Sequence, residues 1–379
     1  MIGFGWEDIY KIVEAMLPLY VALALGYISV KWLRMFKSNE CDAINRFNCY
    51  FIIPFFTFNF TSGVDPYHLN FRFLGADVIA KAIAGVGLAL WIHFSKMDYS
   101  WIITSFSLSN FNNTLVVGVP LLQAMYGGLG ENLVVQSCVI QSLLWQPILL
   151  FMYEFRRACG SKNNISDKQL QEATQPVPQS SSSSTVAIEI VDQDYDDDNT
   201  RVKSAGADTL ALSSTRFLSF MKKIWVGLSK NPNNYACLLG LTWALLANRW
   251  NLKMPGIVEG SILIMSKAGS GVAMFNMGLF MALQESVLGC GVGLCMYGMA
   301  LRFVGVPMST AVGSLALGLH SNVLRIAIIQ AALPQAISSF VFAQEYDLHA
   351  NLLSAQVIFG TIISLPILIV YYLTLNLIH

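Results

Sequence analysis

Ten apolar stretches, each close to the roughly 20 residues that a helix needs to cross a bilayer core, dominate the chain. They lie near residues 8–30, 43–62, 73–94, 99–125 and 131–153, and again near 232–249, 257–283, 287–312, 316–343 and 350–376. In hydrocarbon every backbone N–H and C=O must find a partner inside the protein, so stretches of this length read as helices. Composition agrees: 55% of residues are hydrophobic and 12% charged, and 20 of the 46 charged side chains fall between Glu154 and Lys230. The first stretch is too long for a leader and begins with Glu7, Asp8 and Glu14 instead of basic residues, so it reads as a retained helix.

Three parts follow: a first five-helix block over residues 1–155, a polar loop over 156–229, and a second five-helix block over 230–379. The loop carries Pro176, Pro178, the serine run Ser180 to Ser184 and the acidic residues Asp192, Asp194, Asp196, Asp197 and Asp198. Such a composition cannot bury a core and predicts a disordered linker, in which the serines are either phosphorylation sites or plain solvated chain. Lys31, Arg34, Lys37 and Arg46 crowd the first connection, and Arg156, Arg157, Lys222, Lys223 and Lys230 flank the loop. By the positive-inside rule these sides face the cytosol, both termini facing the lumen or exterior, although Arg249 and Lys253 run against the rule. Five helices per block invert the second block relative to the first, the plan of an inverted-repeat transporter. The expected fold is an all-α integral membrane protein of ten transmembrane helices with helices 4 and 9 interrupted.

The interruptions carry the chemistry. Asn112, Asn113 and Thr114 lie mid-span between Trp101 and Pro120, where adjacent amides are costly unless they face protein or a wet cavity. In the ninth stretch Pro334 removes a backbone donor and frees a carbonyl, with Gln330, Gln335, Ser338 and Ser339 nearby. An offset of 219, set by Pro147-Ile148-Leu149 against Pro366-Ile367-Leu368, carries Pro334 to position 115, beside the asparagines. Two half-helix N-termini meeting at one midplane site would hold a small carboxylate through backbone N–H groups and dipole ends, without any arginine. The competing reading makes Pro334 a kink and the asparagines interhelical glue. Asp77 and Lys81, four residues apart, form a prospective intramembrane ion pair: a coupling site, a brace for the fourth helix, or, at a helix mouth, merely interfacial. Arg302 is their nearest counterpart in the second block, and there snorkelling to an interface is an equal alternative. Gln136, Gln141, Thr57 after Pro54, and Gly269-Ser270-Gly271 are further interruptions, and Gly289 to Gly293 has the spacing of close helix packing.

Other function classes fare worse. Zero net charge and no basic tract argue against a nucleic-acid partner. Seven scattered cysteines without a CxxC pair read as small apolar packing residues, and no metal or cofactor is implied. The five histidines form no HExxH pair, and GxSxG, Walker A and DFG signatures are missing, so an enzyme is not expected.

Leu17 to Tyr27, Cys41-Asp42-Ala43-Ile44-Asn45, Asn113 to Pro120, Gln330-Ala331-Ala332-Leu333-Pro334-Gln335 and Phe342 to Tyr346 resemble the PIN-FORMED auxin efflux carriers of plants. The resemblance spans both blocks and implies two inverted repeats, a homodimerising scaffold, and a transport part that moves as an elevator carrying indole-3-acetate. It assigns Asn113 to the auxin carboxylate, with Asn112 beside it, and Pro334 to the matching break. Thr57 and Ile337 would line the pocket, and Asp77, Lys81 and Gln141 would form the supporting polar site. Members commonly have Leu-Pro before the Asn-Thr pair, where this chain has Phe111-Asn112. The short loop resembles the subgroup of the endoplasmic reticulum, with the plasma membrane as the alternative. The expected activity is export of indole-3-acetate anion from the cytosol. Its rivals are a cation-coupled organic-anion symporter, with Asp77 as coupling acid, and a non-transporting auxin receptor.

Overall fold

The computed structural model describes residues 6–95, 98–157, 221–222, 225–226, 231–284 and 289–377. It divides into two compact units, Met1–Leu150 with Gly227–His379, and Phe151–Val226. Most of the polar loop, with its serine run and acidic residues, lies outside the described residues.

In the first unit the chain forms α1 (Trp6–Lys31), α2 (Ser38–Phe47), α3 (Ile53–Ser62), α4 (Phe71–Phe94), α5 (Tyr99–Asn110), α6 (Val119–Tyr126) and α7 (Gly128–Ile140, continuing beyond a π turn). After the loop come α8 (Pro232–Trp250), α9 (Gly256–Lys267), α10 (Gly269–Leu283), α11 (Val292–Ala316, with a π turn inside), α12 (Ser321–Ala331), α13 (Ile337–Glu345) and α14 (Ala350–Leu377). Among the described residues, six helical segments are long and apolar enough to cross a membrane by length and composition: Ile9–Lys31, Phe71–Phe94, Gly128–Arg157, Gly256–Leu283, Val292–Ala316 and Ala350–Leu377. The other four apolar stretches of the sequence fall on α2 with α3, on α8, and on the interrupted pairs α5/α6 and α12/α13. Many exposed side chains are apolar: Leu17, Val21 and Leu25 form a stripe at helical spacing on α1, and Met308 and Val312 continue one on α11. Such stripes suit a lipid solvent.

Prolines dictate the irregularities. Among the described residues four π turns, Asn48–Ile52, Thr114–Gly118, Gln141–Trp145 and Leu301–Gly305, each end two residues before a proline: Pro54, Pro120, Pro147 and Pro307. A proline ring collides with the carbonyl four residues back, and widening the helix by one residue relieves that collision. At Pro307 the carbonyl so released belongs to Phe303, and the Tyr371 hydroxyl of α14 donates to it at 2.6 Å. Glycines set a close helix crossing: a Cβ on Gly26 would lie 2.1 Å from the Phe275 carbonyl oxygen, and one on Gly278 2.1 Å from that of Leu23. These paired gaps let α1 and α10 meet backbone to backbone. Gly293, by contrast, has open space where a Cβ would stand, so the Gly289/Gly293 spacing produces no close packing among the described residues. Gly269 follows the α9/α10 interruption and leaves room for the Phe56 ring, 2.3 Å from a notional Cβ.

Candidate functional site

Both expected interruptions are present. The fourth stretch leaves helical geometry at Phe111, extended at φ −106° and ψ 97°, and re-enters through the π turn that starts at Thr114. The ninth leaves it after Ala331 and re-enters at Ile337. The two gaps lie against each other as a one-residue antiparallel bridge between Asn112 and Gln335. Its bonds run from Asn113 N–H to the Pro334 carbonyl (2.9 Å) and from Ala336 N–H to the Phe111 carbonyl (3.1 Å). Buried backbone polar groups must be satisfied, and two broken helices do so here by pairing with one another. Gly118 makes the approach possible, since a Cβ there would stand 2.7 Å from the Leu333 side chain.

The remaining polar groups are matched in turn. Pro334 has no N–H to give the Gln330 carbonyl, which accepts from Leu333 N–H at 3.2 Å and from Asn112 Nδ2 at 2.7 Å. Asn112 N–H donates to Gln141 Oε1 (3.1 Å), and Gln141 Nε2 donates to the Asn112 carbonyl (2.9 Å), so Gln141 holds that peptide as a neighbouring strand would. Gln335 Nε2 donates to the Ser107 carbonyl (2.9 Å) and to Ser339 Oγ (2.6 Å), and Gln330 Nε2 donates to Ser137 Oγ. Four neighbouring oxygens keep no partner among the described residues: Ser107 Oγ, Asn110 Oδ1, Gln330 Oε1 and Gln335 Oε1.

The two asparagines therefore differ. Asn112 is 3% exposed and all four of its polar groups are engaged, the last, Oδ1, by Arg302 Nη2 at 2.5 Å. Asn113 is 9% exposed, and its side-chain amide makes no hydrogen bond among the described residues. It stands immediately before Thr114, where the re-entering helix begins, across the bridge from the start of α13. First-turn amides have no intrahelical acceptor, and the dipole of each re-entering helix is positive at this end. Asn113 and the two helix starts lie beside the Asn112–Gln335 bridge, and donors of this kind suit a carboxylate.

Pro334 is buried in the second gap, and Ile337, half-buried, opens α13 directly beyond it. Thr57 is fully buried in α3, and its hydroxyl donates to Asn233 Oδ1 at the start of α8; no hydrogen bond joins it to either gap among the described residues. Asp77 and Lys81 do pair, Oδ2 to Nζ at 2.9 Å, with side chains 12% and 6% exposed. Neither atom has a second partner among the described residues. Lys81 Nζ stands 5.6 Å from the Trp145 ring centroid, one turn along α7 from Gln141, which ties the pair to the helix that clasps Asn112.

Arg302 is the residue whose role sequence reasoning missed. It does not snorkel: at 2% exposed, it reaches from the π turn of α11 into the crossing of the two broken helices. Its guanidinium donates to the carbonyls of Leu333 (2.6 Å), Leu108 (3.0 Å), Ser109 (3.4 Å) and Pro334 (3.5 Å), besides Asn112 Oδ1. An arginine inside an apolar stretch, with no carboxylate on its own helix, was the available signal. Four of its five acceptors are backbone carbonyls, to which no side-chain pattern points.

The chain matches, over residues 11–372, the family described as membrane transport protein. It is 52% identical, over the full length of both chains, to "Auxin efflux carrier component 5" of Arabidopsis thaliana. To "Probable auxin efflux carrier component 5b" of Oryza sativa subsp. japonica it is 46% identical, covering 99% of this chain and 100% of that one. To "Auxin efflux carrier component 8" of Arabidopsis thaliana it is 35% identical, over 98% and 100%. An interrupted helix pair crossing inside an apolar bundle and full-length similarity to these carriers agree, and the chain belongs to the auxin efflux carrier family of membrane transport proteins, as a transporter and not an enzyme.

Proposed function

We propose that this protein exports the indole-3-acetate anion from the cytosol, with the carboxylate held at the crossing by Asn113 and the first-turn amides of the re-entering helices. The observation that carries the reading is the contrast between Asn112, whose polar groups are all spent, and Asn113, whose side-chain amide makes no hydrogen bond among the described residues, at a bridge in a chain 52% identical to an auxin efflux carrier. In this reading the apolar stretches form ten spans in two inverted five-helix repeats, the crossing moves as an elevator against a homodimeric scaffold, and the short loop places the protein in the endoplasmic reticulum. Both termini then lie in the lumen. Ile337, beside Pro334, and Thr57, once its Asn233 contact opens, line the indole side, while Gln141 and the Asp77–Lys81 pair brace the fourth helix.

A cytosol-negative potential favours export, since moving one charge through 100 mV is worth about 2.3 kcal/mol. Asp77 already has a countercharge in Lys81, which supports uniport over coupling through that acid. Uptake of labelled indole-3-acetate into vesicles carrying the wild type or Asn113→Ala tests the reading. Flux that collapses in the variant at matched protein level is expected. Unchanged flux overturns the Asn113 assignment, flux that needs a sodium or proton gradient at every potential overturns uniport in favour of the symporter, and binding without flux favours the receptor.

A further inference from the structure

The bonds of Arg302 follow from where the helices break. The carbonyls of Leu108 and Ser109 would accept from the amides of residues 112 and 113 in a continuous helix, but those amides are committed to Gln141 and to Pro334. Leu333 and Pro334 stand just past the end of α12, on the same side of the second gap. Arg302 thus gathers the C-terminal carbonyls of α5 and the first two carbonyls past the C-cap of α12 on one guanidinium. Each helix end carries about half a negative charge, so two converging C-termini present about −1, equal and opposite to the arginine. All of its hydrogen-bond acceptors are carbonyl or amide oxygens. A bare charge in this environment would be costly, and the dipole ends are what offset it.

We propose that Arg302 is a tethered counter-cation for the crossing: it fills, permanently and from within the chain, the place between two negative helix ends where a transporter of this plan would otherwise hold a mobile cation. Unwound carbonyls and half-helix C-termini are the usual coordination of a coupling cation in broken-helix transporters. Here they are occupied, so the opposite, positive helix ends bind the anion without a co-transported ion. Arg302 touches no substrate and is a positioning residue. Asn112 completes the device by joining the guanidinium, at Oδ1, to the Gln330 carbonyl, at Nδ2.

This inference rests on the transporter reading for flux and is independent of it for stability, so two readouts separate their failures. The full-length protein and its Arg302→Lys, Arg302→Gln and Arg302→Ala variants are purified in detergent and melted with 0–20 mM guanidinium chloride or choline chloride, and indole-3-acetate flux is measured in proteoliposomes with sodium, potassium or choline. Arg302→Lys, which keeps the charge but not the guanidinium fork, is expected to retain several-fold more flux than Arg302→Gln, which loses tenfold or more. Guanidinium, and not choline, should raise the melting temperature of Arg302→Ala by several degrees while leaving the wild type unmoved, with partial return of flux. Equal behaviour of the Lys and Gln variants shows that charge is immaterial and overturns the proposal even if Arg302→Ala does not fold. So does a wild type that is stabilised by, or dependent on, sodium or potassium. If the wild type carries no indole-3-acetate, the transport reading fails while the melting experiment still decides the role of Arg302.

Discussion

Gln141 holds the Asn112 peptide by both its groups, accepting from the N–H at 3.1 Å and donating to the carbonyl at 2.9 Å, and so replaces the strand that an extended residue inside a membrane protein lacks. Removing it leaves two buried backbone groups without partners, at about 1–3 kcal/mol each. Gln141→Leu should therefore lower the melting temperature and slow flux together. Asn112→Pro abolishes the N–H and the side chain at once, leaving Gln141 Oε1 without its donor and taking one hydrogen bond each from the Gln330 carbonyl and Arg302. The double variant Asn112→Pro/Gln141→Leu should recover part of the stability lost by Asn112→Pro, and additive losses in a double-mutant cycle would refute the clasp.

The Asp77–Lys81 pair predicts an asymmetry. Breaking a buried ion pair strands a charge, at about 3–5 kcal/mol, whereas replacing both partners costs far less. Asp77→Asn should destabilise strongly, and Asp77→Asn/Lys81→Met should restore most of the loss in thermal unfolding. A double variant as unstable as the single one would show that the pair does not act as a unit.

Tyr371→Phe tests the proline account of the π turns. The Phe303 carbonyl, deprived of its helical donor by Pro307, loses its remaining one, and a loss of about 1–2 kcal/mol is expected without change in substrate affinity. No change in unfolding would mean that water or lipid headgroups serve that carbonyl equally well.

Gly278→Ala places a methyl group 2.1 Å from a backbone oxygen of α1, which no rotamer change can relieve. Separation of α1 from α10 and a loss of roughly 1–3 kcal/mol should follow. Gly293→Ala, with open space around it, is the control and should leave the melting temperature within a degree or two.

The positions of the helices were legible because hydrocarbon imposes length and apolarity on every spanning segment, a one-dimensional rule that a sequence displays directly. The breaks were legible for a related reason: Asn112-Asn113 and Pro334 are residues that an apolar helix does not tolerate without cause. Spacing alone also announced the Asp77–Lys81 pair, since four residues are one helical turn. What only the tertiary structure decided is which of two adjacent asparagines is spent and which is free, where Thr57 turns, and what Arg302 neutralises. Each depends on partners 29 to 218 residues away in the chain, most of them backbone carbonyls, and a carbonyl is chemically identical at every position until folding decides which ones a break leaves open.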